Sequence, residues 1–74
     1  MDVRRRVGLN VKRFRAERGL SQEELAFECG RHRTYVSGVE RGVRNPTVVV
    51  LEKLAKALKV ATSLLLEERG SPKK

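Results

Sequence analysis

Apolar residues recur along this chain at the three- and four-residue intervals that place side chains on one face of a helix. The first run, Val3, Val7, Val11 and Phe14, predicts a helix that begins near Asp2 or Val3 and continues to about Arg18, with Gly19 closing it. Gly8 weakens its early part, because an interior glycine costs about 1 kcal/mol relative to alanine. Met1 to Arg6 therefore equally suits a frayed basic arm. A second run, Leu25, Ala26 and Cys29, follows a capping box in which the Ser21 hydroxyl can accept the N–H of Glu24 while the Glu24 carboxylate reaches back to the N–H of Ser21. A helix therefore starts at Gln22, and Gly30 can take the left-handed conformation that ends it and turns the chain. Leu20, just ahead of the cap, is placed to staple onto this helix. Phe27 lies off the stripe and either caps the edge of the core or forms an exposed contact, partial packing being the expectation.

After a corner at Gly30 and Arg31, a third helix from about Arg33 to Glu40 directs Val36 and Val39 inward. Arg33, Thr34, Ser37 and Gly38 share its opposite face, which is polar, short-chained and basic. Residues 42–46 read as a loop, and Pro46 and Thr47 open a fourth helix with Val50 or Leu51, Leu54, Ala55 and Leu58 as its stripe and Lys53, Lys56 and Lys59 outside. A fifth short helix is expected to start between Ala61 and Ser63 and to run to Glu68. Its consecutive leucines, Leu64, Leu65 and Leu66, cannot all face one small core. At least one is expected at the surface, where a dimer seam would include Leu64 and Val60. Gly70 to Lys74 is expected to be a flexible basic tail, leaving residues 1–69 as the domain.

Seventy-four residues make one domain with a compact core. Phe14, Phe27 and Tyr35 are its only aromatic residues, so leucine, valine and alanine must fill that core. Dimerisation would add buried area to a marginal monomer. A formal charge of +8, from 17 Lys and Arg against 9 Asp and Glu, places the chain among binders of nucleic acid or of anionic surfaces without choosing between them. One cysteine excludes an intramolecular disulfide, and with one histidine it leaves no thiolate-imidazole zinc cage, so no metal or cofactor is expected. Cys29 reads as a small buried residue, and no nucleophile-base constellation suggests an enzyme. No stretch approaches the roughly 20 apolar residues that span a bilayer. A soluble, cytoplasmic protein with no membrane or small-molecule partner is expected.

Arg18-Gly19-Leu20-Ser21-Gln22-Glu23-Glu24-Leu25-Ala26 leads into the second helix; Glu40-Arg41-Gly42 and then Asn45-Pro46-Thr47 lead out of the third. This arrangement resembles the helix-turn-helix of the lambda repressor and Cro-like (XRE-type) DNA-binding domains over residues 7–68. The run from Arg33 to Arg41, with Arg44-Asn45, is particularly similar to the small controller proteins of restriction-modification systems. The resemblance implies an all-α, compact five-helix lambda-repressor-like domain with the helix-turn-helix at helices two and three. Its implied function is sequence-specific transcriptional regulation, as a homodimer on pseudo-palindromic double-stranded operator DNA.

In that motif the third helix enters the major groove with its N-terminal part toward the base edges. Arg33, Thr34 and Ser37 would then read bases: Arg33 through two hydrogen bonds to guanine, Thr34 through its methyl or hydroxyl, and Ser37 through its hydroxyl one turn on. The resemblance assigns Gln22, Tyr35, Arg44 and Asn45 to the DNA backbone or groove edge, and pairs Arg15 with Glu40 to orient the first helix on the third. Gly38 stands where many of the class carry a long polar reader. Either it lets the helix sit deeper, or specificity shifts to DNA shape. His32 occupies a place often held by a capping serine or threonine. Arg4, Arg5 and Arg6 would contact phosphates, form a minor-groove arm, or remain a solvated charge run. Two other functions stay open: an antitoxin-like module using Phe27 and the leucines against a protein partner, and a nonspecific nucleic-acid binder relying on charge.

Overall fold

The computed structural model describes residues 2–68, in which four α-helices are followed by one turn of 3-10 helix. They are α1 (Val3–Arg18), α2 (Gln22–Cys29), α3 (Arg33–Glu40) and α4 (Val48–Leu58), with the 3-10 turn at Thr62–Leu65. Met1 and the chain from residue 69 onward, including the expected tail from Gly70 to Lys74, lie outside the described residues.

Local chemistry sets most of these boundaries. Asp2 accepts the N–H of Arg4 at 2.7 Å, and Thr47 Oγ1 accepts the N–H of Val50 at 3.2 Å, so α1 and α4 each begin on a side-chain cap. The capping box is complete at α2, where Ser21 Oγ takes the N–H of Glu24 at 3.0 Å and Glu24 Oε1 takes the N–H of Ser21 at 2.7 Å. Gly19 and Gly30 end α1 and α2 in the left-handed region. Lys59 does the same for α4 at φ 62°, a conformation that a non-glycine side chain adopts only at a cost.

The core is built from Val7, Val11 and Phe14 of α1, Leu25, Ala26 and Cys29 of α2, Val36 and Val39 of α3, five residues of α4 that include both Val50 and Leu51, and Leu65. Val3 does not belong to it, being 47% exposed. The buried stripe of α1 is instead Val7, Asn10, Val11 and Phe14, a complete helical set with a polar residue at its second position.

Asn10, 2% exposed, explains why the expected fifth helix is only one 3-10 turn. Its Nδ2 donates to the carbonyls of Leu65 and Glu67, both at 2.8 Å, and Arg6 Nε donates to the carbonyl of Leu66 at 2.8 Å. Successive carbonyls are thus held by α1 side chains, and the chain does not continue as helix to Glu68. Leu65 is fully buried, Leu64 is half-buried against the core and Leu66 is exposed.

Phe27 corrects a second expectation. It is 84% exposed on α2, pointing away from the stripe at Leu25, Ala26 and Cys29, so partial packing does not occur. Gly8 acquires a purpose that its helix propensity hides: a Cβ there would collide with the carbonyl oxygens of Val39 and Glu40. The residue that weakens α1 in isolation is the one that lets α3 lie against it.

Candidate nucleic-acid interface

The end of α3 is fixed by a polar network reaching three helices. Arg15 Nε donates to Glu40 Oε2 at 2.6 Å and Arg15 Nη2 to Glu40 Oε1 at 3.1 Å. Gln22 Nε2 donates to Glu40 Oε1 at 2.9 Å, and Arg15 Nη1 closes the corner by donating to the Leu20 carbonyl at 2.8 Å. Glu40 is 3% exposed at its side chain. Hydrogen bonding to Glu40 holds the Arg15 guanidinium above its ordinary pKa against the opposing effect of burial. The side-chain amide of Gln22 is therefore engaged within the protein, at the first residue of α2.

At the other end of α3, His32 takes the cap position but its side chain makes no capping hydrogen bond. Arg33 and Thr34 follow in the first turn, both exposed and neither hydrogen-bonded through its side chain among the described residues. Ser37, one turn on, is half-buried and is approached by Arg41 Nε at 3.4 Å.

Gly38 does not join Arg33, Thr34 and Ser37 on an open face. It is buried, and a Cβ added there would stand 2.5 Å from Arg44 Cγ. The loop folds back because the Gly38 carbonyl accepts the N–H of Val43 at 3.0 Å and that of Arg44 at 3.1 Å. The Arg44 stem thereby takes the surface that a longer residue at 38 would occupy. The surface at 38 is thus not bare, which bears on how deeply the helix can sit and leaves readout by DNA shape untouched.

Arg44 also brings its guanidinium carbon to 5.3 Å from the centroid of the Tyr35 ring, and Arg31 brings its own to 5.2 Å. Tyr35 is half-buried, with its ring packed against the core, so it can hold both cations in place. Asn45 is exposed beside Arg44. Arg31 sits at the corner in sequence, and its four-residue spacing from Tyr35 is the signal for this contact. Asn10 was likewise hidden, although its place within the stripe of α1 marks it.

Val60 and Leu64, the expected seam residues, are both half-buried against the core. Val3 and Leu66 expose apolar surface along a small cleft that they share with Pro46 and Leu51. Cys29 is buried, its thiol lies 3.7 Å from the Lys53 carbonyl, and burial pushes its pKa up. Among the described residues no three His, Cys, Asp or Glu side chains gather to hold a metal, and no helix is long and apolar enough to cross a membrane.

The family model described as helix-turn-helix matches residues 11–65. The chain is 45% identical over 67 residues to the control protein C.BamHI of Bacillus amyloliquefaciens, a match covering 89% of this chain and 83% of that one. The crystal structure of the hypothetical transcription factor NHTF from Neisseria is similar at a TM-score of 0.88 and 47% identity, over 92% of this chain and 78% of that chain. The restriction-modification controller protein C.Esp1396I, solved as a tetramer in complex with its natural 35 base-pair operator, is similar at a TM-score of 0.78 and 37% identity, over 88% of this chain and 86% of that chain.

Proposed function

The chain belongs to the helix-turn-helix family of transcriptional regulators, and on that premise we propose that it binds pseudo-palindromic operator DNA as a homodimer, with α3 in the major groove. The observation that carries this reading is the exposed first turn of α3. It offers Arg33 and Thr34 to a partner while the other end of the helix is tied down through Glu40.

Arg33 donates two parallel hydrogen bonds to guanine O6 and N7, a match worth about 1–3 kcal/mol against a wrong base. Thr34 offers its methyl to thymine, and Ser37 a hydroxyl one turn deeper. Arg44, laid across Gly38 and against the Tyr35 ring, reaches the groove edge from the loop. Asn45 and the start of α2 at Gln22 contact the phosphate backbone. Such contacts set the register of the protein on the duplex and make binding salt-dependent. No group-transfer chemistry is involved: the protein acts by occupying DNA.

One such domain reads only a few base pairs. Two copies related by a two-fold axis would place their α3 helices about 34 Å apart, one turn of the duplex, or a multiple of that. Val60 and Leu64, both only half-buried in one copy, supply the seam. The operator-bound tetramer of C.Esp1396I supports binding as an oligomer. Protein concentration and dimerisation then control occupancy.

Selection from a random duplex pool at near-physiological salt tests this reading. Enrichment of an inverted repeat is the expected result. Retention without enrichment would mean charge-driven binding, and no retention would point to a protein partner.

A further inference from the structure

The three arginines that open α1 look alike in the sequence, and the structure separates one from the other two. Arg4 Nη2 is paired with Asp2 Oδ2 at 3.2 Å, and Arg6 Nε donates to the Leu66 carbonyl. Arg5 is exposed and has no hydrogen-bond or ion-pair partner through its side chain among the described residues. Its stem lies over Gly42, where an added Cβ would stand 3.0 Å from Arg5 Cγ and 3.2 Å from Arg5 Cα. Gly42, at φ 78°, follows Arg41 in the turn that leaves α3.

The first turn of α1 and the exit of α3 therefore form one edge. Its exposed side chains include Arg5, Arg41, Arg44 and Asn45. Neither neighbouring carboxylate offsets this charge, since Glu40 is buried against Arg15 and Asp2 is paired with Arg4. We propose that Arg5 is a phosphate-contacting residue that carries the DNA footprint beyond the helix-turn-helix onto α1, an inference that rests on the reading of α3 as the groove helix. With its stem seated on Gly42, one residue past Arg41, Arg5 aims its charge along the strand bordering the groove. A phosphate contact carries no base preference, so Arg5 adds affinity and not specificity.

Counterion release makes the contact measurable, because each phosphate neutralised on B-DNA adds about 0.9 to the slope of log K against log salt concentration. The experiment titrates the full chain onto a duplex selected by the wild type and onto a scrambled duplex, over a roughly fourfold range of salt. Arg5→Gln keeps the stem over Gly42 and removes the charge. It is expected to lower the slope by about 0.9 per protomer on both duplexes, with the preference between them unchanged. Arg5→Lys should restore the slope, and Arg4→Gln should leave it at the wild-type value. A folded Arg5→Gln with the wild-type slope overturns the proposal, as does an equal loss from Arg4→Gln. A wild-type chain that binds neither duplex overturns both the proposal and the reading beneath it.

Discussion

Arg15 of α1 grips the carboxylate of Glu40, the last residue of α3, through two hydrogen bonds of 2.6 and 3.1 Å. An ion pair this buried roughly offsets its own desolvation, but losing one partner strands a charge at a site where Glu40 is 3% exposed. Arg15→Met is therefore expected to destabilise the fold by about 3–5 kcal/mol, and adding Glu40→Leu should recover most of that loss. Urea denaturation of the single and double variants measures both. A double variant no more stable than the single one would contradict this account of the pair.

Asn10 makes the C-terminal turn depend on α1. Asn10→Asp keeps the shape of the side chain but removes both donors that face the Leu65 and Glu67 carbonyls. A loss of about 1–3 kcal/mol per unmet carbonyl is expected at neutral pH. Hydrogen exchange should accelerate first in residues 62–67, before the helices; uniform acceleration would mean that Asn10 supports the core generally.

Two buried glycines should respond differently to alanine. Gly8→Ala meets backbone oxygens of Val39 and Glu40 that cannot turn aside, so overpacking is expected to cost about 1–3 kcal/mol or more. Gly38→Ala meets Arg44 Cγ, so the Arg44 side chain must turn to another rotamer. Helix propensity then returns up to about 1 kcal/mol, leaving stability near the wild-type value. Operator affinity should nonetheless fall, because Arg44 loses its seat. Thermal denaturation and DNA titration of the two variants separate these effects.

Phe27→Ser is expected to change stability by less than about 0.5 kcal/mol, since a side chain 84% exposed contributes little to packing. Denaturant midpoints check this directly. A large loss would place Phe27 in a packed site.

The helix-turn-helix was legible because its signals are local. The Ser21 and Glu24 cap, the left-handed glycines at 19 and 30, and the inward positions of Val36 and Val39 each depend on residues within a few places along the chain. The exposure of Arg33 and Thr34 follows from the same periodicity. What could not be read depends on chain that returns from far away. The fifth helix is cut short by bonds from Asn10 and Arg6 that span 55 to 60 residues, longer than any helical pattern can anticipate. Gly38 falls on the outer face by helical spacing, yet only the folding back of the loop reveals that Arg44 lies over it. The resemblance places Gln22 on the DNA backbone, and only the fold reveals that its side-chain amide also reaches Glu40, 18 residues on.

The most direct measurement is a pair of selections from one random duplex pool, run in parallel with the wild-type chain and with Arg33→Ala. The wild type is expected to enrich an inverted repeat, and Arg33→Ala the same repeat with its preference lost at one position in each half-site. An undiminished repeat from Arg33→Ala, a uniform weakening at every position, or no repeat from the wild type would contradict the claim that α3 reads operator DNA through Arg33.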